Sequence, residues 1–230
     1  MIKGLFVLLV FASHVSQYLN LPDGIMTRSF QLIRTNLGQM VVVPFLFFSG
    51  YGVRCSLIRK GDTYLRSMPR KRILRTYYHT CVILLIFLAL QLALGERYSF
   101  RQILDAFLLM GSFGNSNWYI FAILYLYFAT WLSFRLTRSS RQACMLLLLF
   151  SMIYIGALML WKERWWYDTV LVYGFGMVFP DLEDLFVRVT KRSISRTVLC
   201  FLLACVFLVL TMGLFMTLFM VFWKTPAAFA

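Results

Sequence analysis

Apolar runs of around twenty residues recur along this chain, and no other feature restricts its fold as strongly. A helix needs about 20 mostly apolar residues to cross a hydrocarbon layer of about 30 Å. Seven runs fit that description: residues 4–20, 38–58, 77–94, 118–134, 143–161, 166–187 and 198–223. The sixth is the weakest, with Asp168 near its start and Pro180-Asp181 interrupting its end. The seventh would measure about 39 Å if straight, so it must tilt or break near Gly213. The fold expected is all-α: a polytopic membrane helical bundle of about seven transmembrane helices. Composition agrees, because 61% of the residues are hydrophobic and 14% charged, against about 45–50% and about 25% in soluble domains. The composition argues against a soluble enzyme and against a disordered chain.

The first run follows Lys3 and imitates a signal peptide. No small-residue cleavage site precedes the next polar segment, so it counts as the first helix. Residues 100–113 are too short to span. Arg101 and Asp105 lie one turn apart among Ile103, Leu104, Phe107 and Leu108, which suits an interfacial or re-entrant helix. No repeat or long linker divides the chain, so residues 1–230 read as one integral membrane domain.

The formal net charge is +14. In such a chain a basic excess first reports topology, since cytoplasmic loops collect Lys and Arg. With the N-terminus inside, the outer segments hold only Arg28, Arg34, Arg97, Arg101, Lys162, Arg164 and Lys224 of the 23 basic residues. That bias gives a cytoplasmic N-terminus and, over seven spans, an outer C-terminus. Nothing beyond net charge points to nucleic acid. The five cysteines are odd in number and form no C-x-x-C, so neither a disulfide framework nor a metal site is indicated. Phosphate-binding, dinucleotide and zinc-protease motifs are missing as well.

Candidate chemistry is sparse. His14 lies inside the first run, about 16 Å along a helix from Lys3, near the middle of the bilayer if Lys3 marks its inner face. An ionisable group there is expensive and a functional candidate. A neutral imidazole can serve as a general base. It can equally be a structural group bonded within the polar seam of Ser13, Ser16 and Gln17. The loop 54–75 holds eight basic residues and one acid, Asp62. Its end carries Arg70, Lys71, Arg72 and Arg75. Arg72 and Arg75, three apart, would share a helical face, and paired guanidinium groups suit phosphate oxygens. The same cluster also suits a topology anchor or anionic head groups. In VVVPFLFFSGYGVR (41–54), the two glycines permit close helix contact or a break; Ser49 lacks a nucleophile motif. Trp118 stands at the outer mouth of the fourth run, where an aromatic belt is ordinary. Tyr125 is two turns below on the same face, which could line a cavity. The acidic residues lie near run ends, and none is an obvious catalytic carboxylate.

These pieces stand in an order that resembles the acyltransferase 3 family of integral membrane O-acyltransferases. Lys3 and His14 match its basic-x10-His signature. VPFLFFSGYGV (43–53) resembles its second helix, and Arg72-Ile-Leu-Arg75 its R-x-x-R element. Trp118-Tyr119-Ile120 with Tyr125 resembles its Trp-aromatic helix, and YGFGMVFP (173–180) a later glycine-containing helix. The resemblance covers residues 1–190. It implies transfer of an acyl group, usually acetyl from acetyl-CoA as cosubstrate, to a hydroxyl of a cell-surface or envelope glycan at a bacterial inner membrane. It makes His14 the base. Lys3, Arg70, Lys71, Arg72 and Arg75 would hold the donor, with Ser49, Tyr51, Trp118 and Tyr125 near the pocket. Two departures stand out. Tyr77-Tyr78 replace the family's proline after R-x-x-R, and seven runs stand against a family core of about ten helices. The chain therefore reads as a shortened member lacking C-terminal helices, whose open side a partner or second copy could fill. The competing expectation is a non-catalytic membrane component of polysaccharide export or assembly, or a shortened member without activity.

Overall fold

A computed structural model describes residues 42–113 and 116–190, with 7, 8 and 11. The run 198–223, and residues 3 and 14, lie outside the described residues. Every described element is helical. Helix α1 covers Val42–Met68, followed by a π-helical turn, Pro69–Leu74. Helix α2 is Arg75–Ala93, α3 Phe100–Phe107, α4 Trp118–Leu136 and α5 Ser140–Met159. A 3₁₀ turn, Arg164–Trp166, leads to α6, Leu171–Thr190. The chain forms two compact units, 1–180 and 181–230. The contacts described below all lie in the first.

Three helical stretches are long and apolar enough to cross a membrane: Val42–Ala93, Trp118–Leu136 and Ser140–Met159. The first is 52 residues long and would extend about 78 Å if straight. It does not stay straight. Gly61 has φ 52° and breaks α1, a conformation that glycine adopts without a Cβ penalty. The π turn follows, so the second and third apolar runs become the two arms of one bent helical stretch. Pro44 sits in the first turn of α1, where its missing N–H costs nothing. The expected sixth span differs. Residues 167–170 form a turn, and α6 continues through Pro180 to Thr190, taking in Asp181, Glu183, Asp184 and Arg188. Those charges keep α6 out of the three long apolar stretches. Residues 54–75, expected as a loop, are helical throughout except at Gly61.

Helix α4 is central. Ala122, Ile123, Leu126, Tyr127, Ala129, Thr130 and Ser133 are all buried on it. They pack with Leu46 and Val53 of α1, Leu147 and Tyr154 of α5, and Tyr173 and Met177 of α6. Lipid tails are as apolar as leucine, so close packing and hydrogen bonds, not exclusion of water, must hold such a core in a bilayer. The closest packing is between α1 and α6. A Cβ on Gly50 would overlap the Tyr173 carbonyl, and one on Gly176 would overlap the Phe47 carbonyl. The two backbones touch through reciprocal glycines, while Gly52 has open space around it.

Residues 99–113 form a short helix followed by a reversing turn. Ser99 caps α3, accepting from the Gln102 amide at 3.3 Å while Gln102 Oε1 accepts from the Ser99 amide at 2.8 Å. The eight residues of α3 advance about 12 Å. The chain then reverses through Leu109, which has φ 64°, and returns so that the Tyr98 and Phe113 rings lie 5.0 Å apart. Ala106, Leu109 and Phe113 are buried against Leu84, in the middle of α2. Buried non-helical backbone needs partners for its polar groups. Here side chains supply them. Tyr77 donates to the Phe107 carbonyl, Asn117 to those of Ala106 and Gly111, Lys162 to Met110 and Gln91 to Phe113, at 2.8–3.3 Å.

Candidate functional site

The chemistry-bearing residues divide between two ends of the first unit. One end holds the bent turn between α1 and α2. The break at Gly61 and the π turn expose an open groove of about 700 Å³, lined by Asp62, Thr63, Arg66, Ser67, Arg70 and Lys71. Asp62 and Arg66, one turn apart, form an ion pair at 2.6 Å, with 57% and 73% of their side chains exposed. At that exposure the pair contributes about 0–1 kcal/mol. Its importance is local: it occupies one guanidinium of the groove. Ser67 Oγ donates to the Tyr64 carbonyl at 3.0 Å.

Arg72 and Arg75 do not meet in this groove. Three residues nearly complete an α-helical turn, but the π turn is wider, with i→i+5 bonds, so the shared face is lost. Arg72 is half-buried and turns inward. Its Nε donates to the Tyr64 hydroxyl at 3.2 Å, and its guanidinium lies 5.9 Å from the centre of the Tyr127 ring. Arg75 is exposed. The structure thus brings Arg70 and Lys71 together with Arg66, and it separates them from Arg72. Beneath Arg72 lies a polar seam that the spacing of residues does not announce. Tyr127 packs edge-on to Tyr173 at 6.2 Å, and the Tyr173 hydroxyl is 3.0 Å from Thr130 Oγ1. Arg54, counted in sequence as a charge at the inner boundary, is only 7% exposed on α1.

At the other end, Val7, Val42, Phe45, Ser116, Trp118, Tyr119 and Ile120 line an apolar cavity of about 290 Å³. Trp118 lines this cavity. Tyr125 does not. Its hydroxyl donates to the Phe150 carbonyl at 2.8 Å, and its ring packs 4.7 Å from that of Tyr154. It joins α4 to α5. Ser49 neighbours Tyr119, on the α1 face toward α4. Tyr51 stacks on Phe47 at 6.4 Å and meets Phe179 edge-on at 6.1 Å. Ser49 and Tyr51 thus serve different helix contacts. Lys162, counted from sequence as an outer-loop charge, also lies 4.4 Å from the Trp166 ring centre.

Among the described residues no group of His, Cys, Asp and Glu could hold a metal ion. The proposed base, His14, and the donor contact Lys3 lie outside the described residues. The residues missed were Tyr64, Asn117 and Gln91, each carrying a bond between elements; of these only Gln91 is a single polar residue in an apolar run. Compared with models of known families, with curated proteins and with solved structures, the chain has no match.

Proposed function

We propose that this chain is a membrane O-acyltransferase of the acyltransferase 3 kind, a bundle of about seven membrane helices in a bacterial inner membrane with its N-terminus inside. It moves an acetyl or related acyl group from acyl-CoA to a hydroxyl of a surface or envelope glycan. His14 takes the proton of that hydroxyl as its oxygen bonds to the acyl carbonyl carbon. The carbon–sulfur bond then breaks, and the thiolate leaves with a proton. General-base action of this kind contributes about 10²–10⁴-fold.

The observation that carries this reading is the groove at Asp62–Lys71, where Arg66, Arg70 and Lys71 stand at the bend between two apolar helical arms. A donor with a phosphorylated, water-soluble body and a thioester to be delivered into the bilayer requires cations at that place. The sequence order described above adds the base and the aromatic pocket around Trp118. Lys3 has only the sequence order behind it, since it lies outside the described residues. The test is thiol release from acetyl-CoA by the purified chain in lipid nanodiscs with glycan acceptor. Release above background that His14→Ala removes supports the proposal; no release counts against it.

A second reading, a non-catalytic membrane component, is favoured by one observation. Arg72 and Tyr125, two residues wanted at the site, have their polar groups engaged in helix packing. Under that reading the purified chain consumes no acetyl-CoA under any condition.

A further inference from the structure

We propose that the groove between Gly61 and the π turn is a phosphomonoester site in which Asp62 stands in for the missing anion, and that Arg72 is a positioning residue outside it. This refines the donor contacts of the proposed function but rests on geometry that is independent of catalysis. Three cations, Arg66, Arg70 and Lys71, line the groove with a single carboxylate, Asp62. The excess of two positive charges matches a phosphomonoester dianion. Asp62 and Arg66 stand one α-helical turn apart, and Arg70, at the start of the π turn, lines the same groove. Arg66 and Arg70 offer planar forks and Lys71 a compact ammonium, the combination that satisfies several oxygens of one phosphate at once.

Asp62 explains how so exposed a set of cations is held in order. Its carboxylate is on Arg66 at 2.6 Å, where a phosphate oxygen would bind. A ligand must displace it, and the exchange costs little because the pair is exposed. Arg72 cannot take part while Tyr64 holds its Nε and Tyr127 lies under its guanidinium. It fixes the π turn against α4 and so sets the direction in which Arg70 and Lys71 leave the helix.

Two sources share this chemistry: the ribose 3′-phosphate of a soluble nucleotide, and the phosphate of an anionic lipid. The experiment uses the full chain in nanodiscs and separates them. One arm measures binding of adenosine 3′,5′-bisphosphate in zwitterionic lipid; the other measures retention of phosphatidic acid by native mass spectrometry. In whichever arm binds, Arg70→Gln with Lys71→Gln should weaken binding about tenfold or more, as expected when charge-assisted bonds are lost. Asp62→Asn should tighten it about two- to fivefold. Arg72→Lys should weaken binding, and Tyr64→Phe, which leaves every charge in place, should weaken it in the same direction. Binding in neither arm, or binding indifferent to both Asp62→Asn and the double substitution, overturns the site. Equal loss in Arg72→Lys with no effect of Tyr64→Phe makes Arg72 a direct ligand and overturns its positioning role. Binding without acetyl transfer keeps the site and removes the acyltransferase reading. Transfer that ignores the double substitution does the reverse.

Discussion

Lys162 and Lys71 look alike in the sequence, each a cation beside an apolar run, yet they stand in opposite circumstances. Lys162 is turned into the protein. Its ammonium donates to the Met110 carbonyl and lies over Trp166. Lys71 is exposed at the rim of a groove with two arginines. At the first end, side chains are consumed by the carbonyls of a reversing turn where α3 has ended. At the second, the backbone is helical on both sides of Gly61, and no backbone carbonyl takes the Lys71 ammonium among the hydrogen bonds described. A cation stays at the surface where the local backbone satisfies itself. Charge counting cannot see this difference, because it depends on where carbonyls point.

The contrast can be broken at several places. The largest effect is expected at the helix crossing that both ends depend on. Gly50→Val should destabilise by about 3 kcal/mol or more, since a branched side chain would have to occupy space held by the Tyr173 backbone; loss of the folded fraction in detergent melts would show it. Gly52→Ala, with open space around it, should leave the melt within about 0.5 kcal/mol. Next comes Asn117→Leu, which leaves the carbonyls of Ala106 and Gly111 without this donor. A cost of about 2–3 kcal/mol follows from unsatisfied buried groups, read as a lowered melting temperature and faster proteolysis near residue 109. Lys162→Met should cost about 1–2 kcal/mol for its lost bond to Met110, whereas Lys71→Met should cost less than about 0.5 kcal/mol. Similar losses for the two lysines would erase the distinction drawn between the ends. The smallest effect belongs to Asp62→Asn, at most about 1 kcal/mol, and less in high salt.

Much of the helical layout was legible. The run 77–94 became Arg75–Ala93, and 118–134 became Trp118–Leu136, because long uniform apolar stretches leave little freedom over where a helix must lie. Residues 100–113 are legible as too short to span, and the S-x-x-Q start of α3 is a capping-box spacing. The close approach at Gly50 was legible from the glycine pair, though not which of the two would be used. The site was less legible. Arg72 and Arg75 were paired by α-helical spacing, and a π turn defeats that inference. Tyr125 was placed on a cavity face because it lies two turns from Trp118. Period alone cannot say whether such a face meets a void or the next helix, and here it meets Phe150. The expected loop 54–75 was read from its charge, while its residues, apart from Gly61 and Pro69, are compatible with helix.

The proposed function turns on His14. The direct measurement is the O-acetyl content of the host's surface glycans by NMR, in a strain lacking this chain, the same strain restored with the wild-type chain, and the strain restored with His14→Ala at equal membrane abundance. The expected result is that only the wild-type chain restores O-acetyl groups. Restoration by His14→Ala would contradict the assignment of the base. A glycan unchanged by the wild-type chain would contradict acyl transfer as its activity.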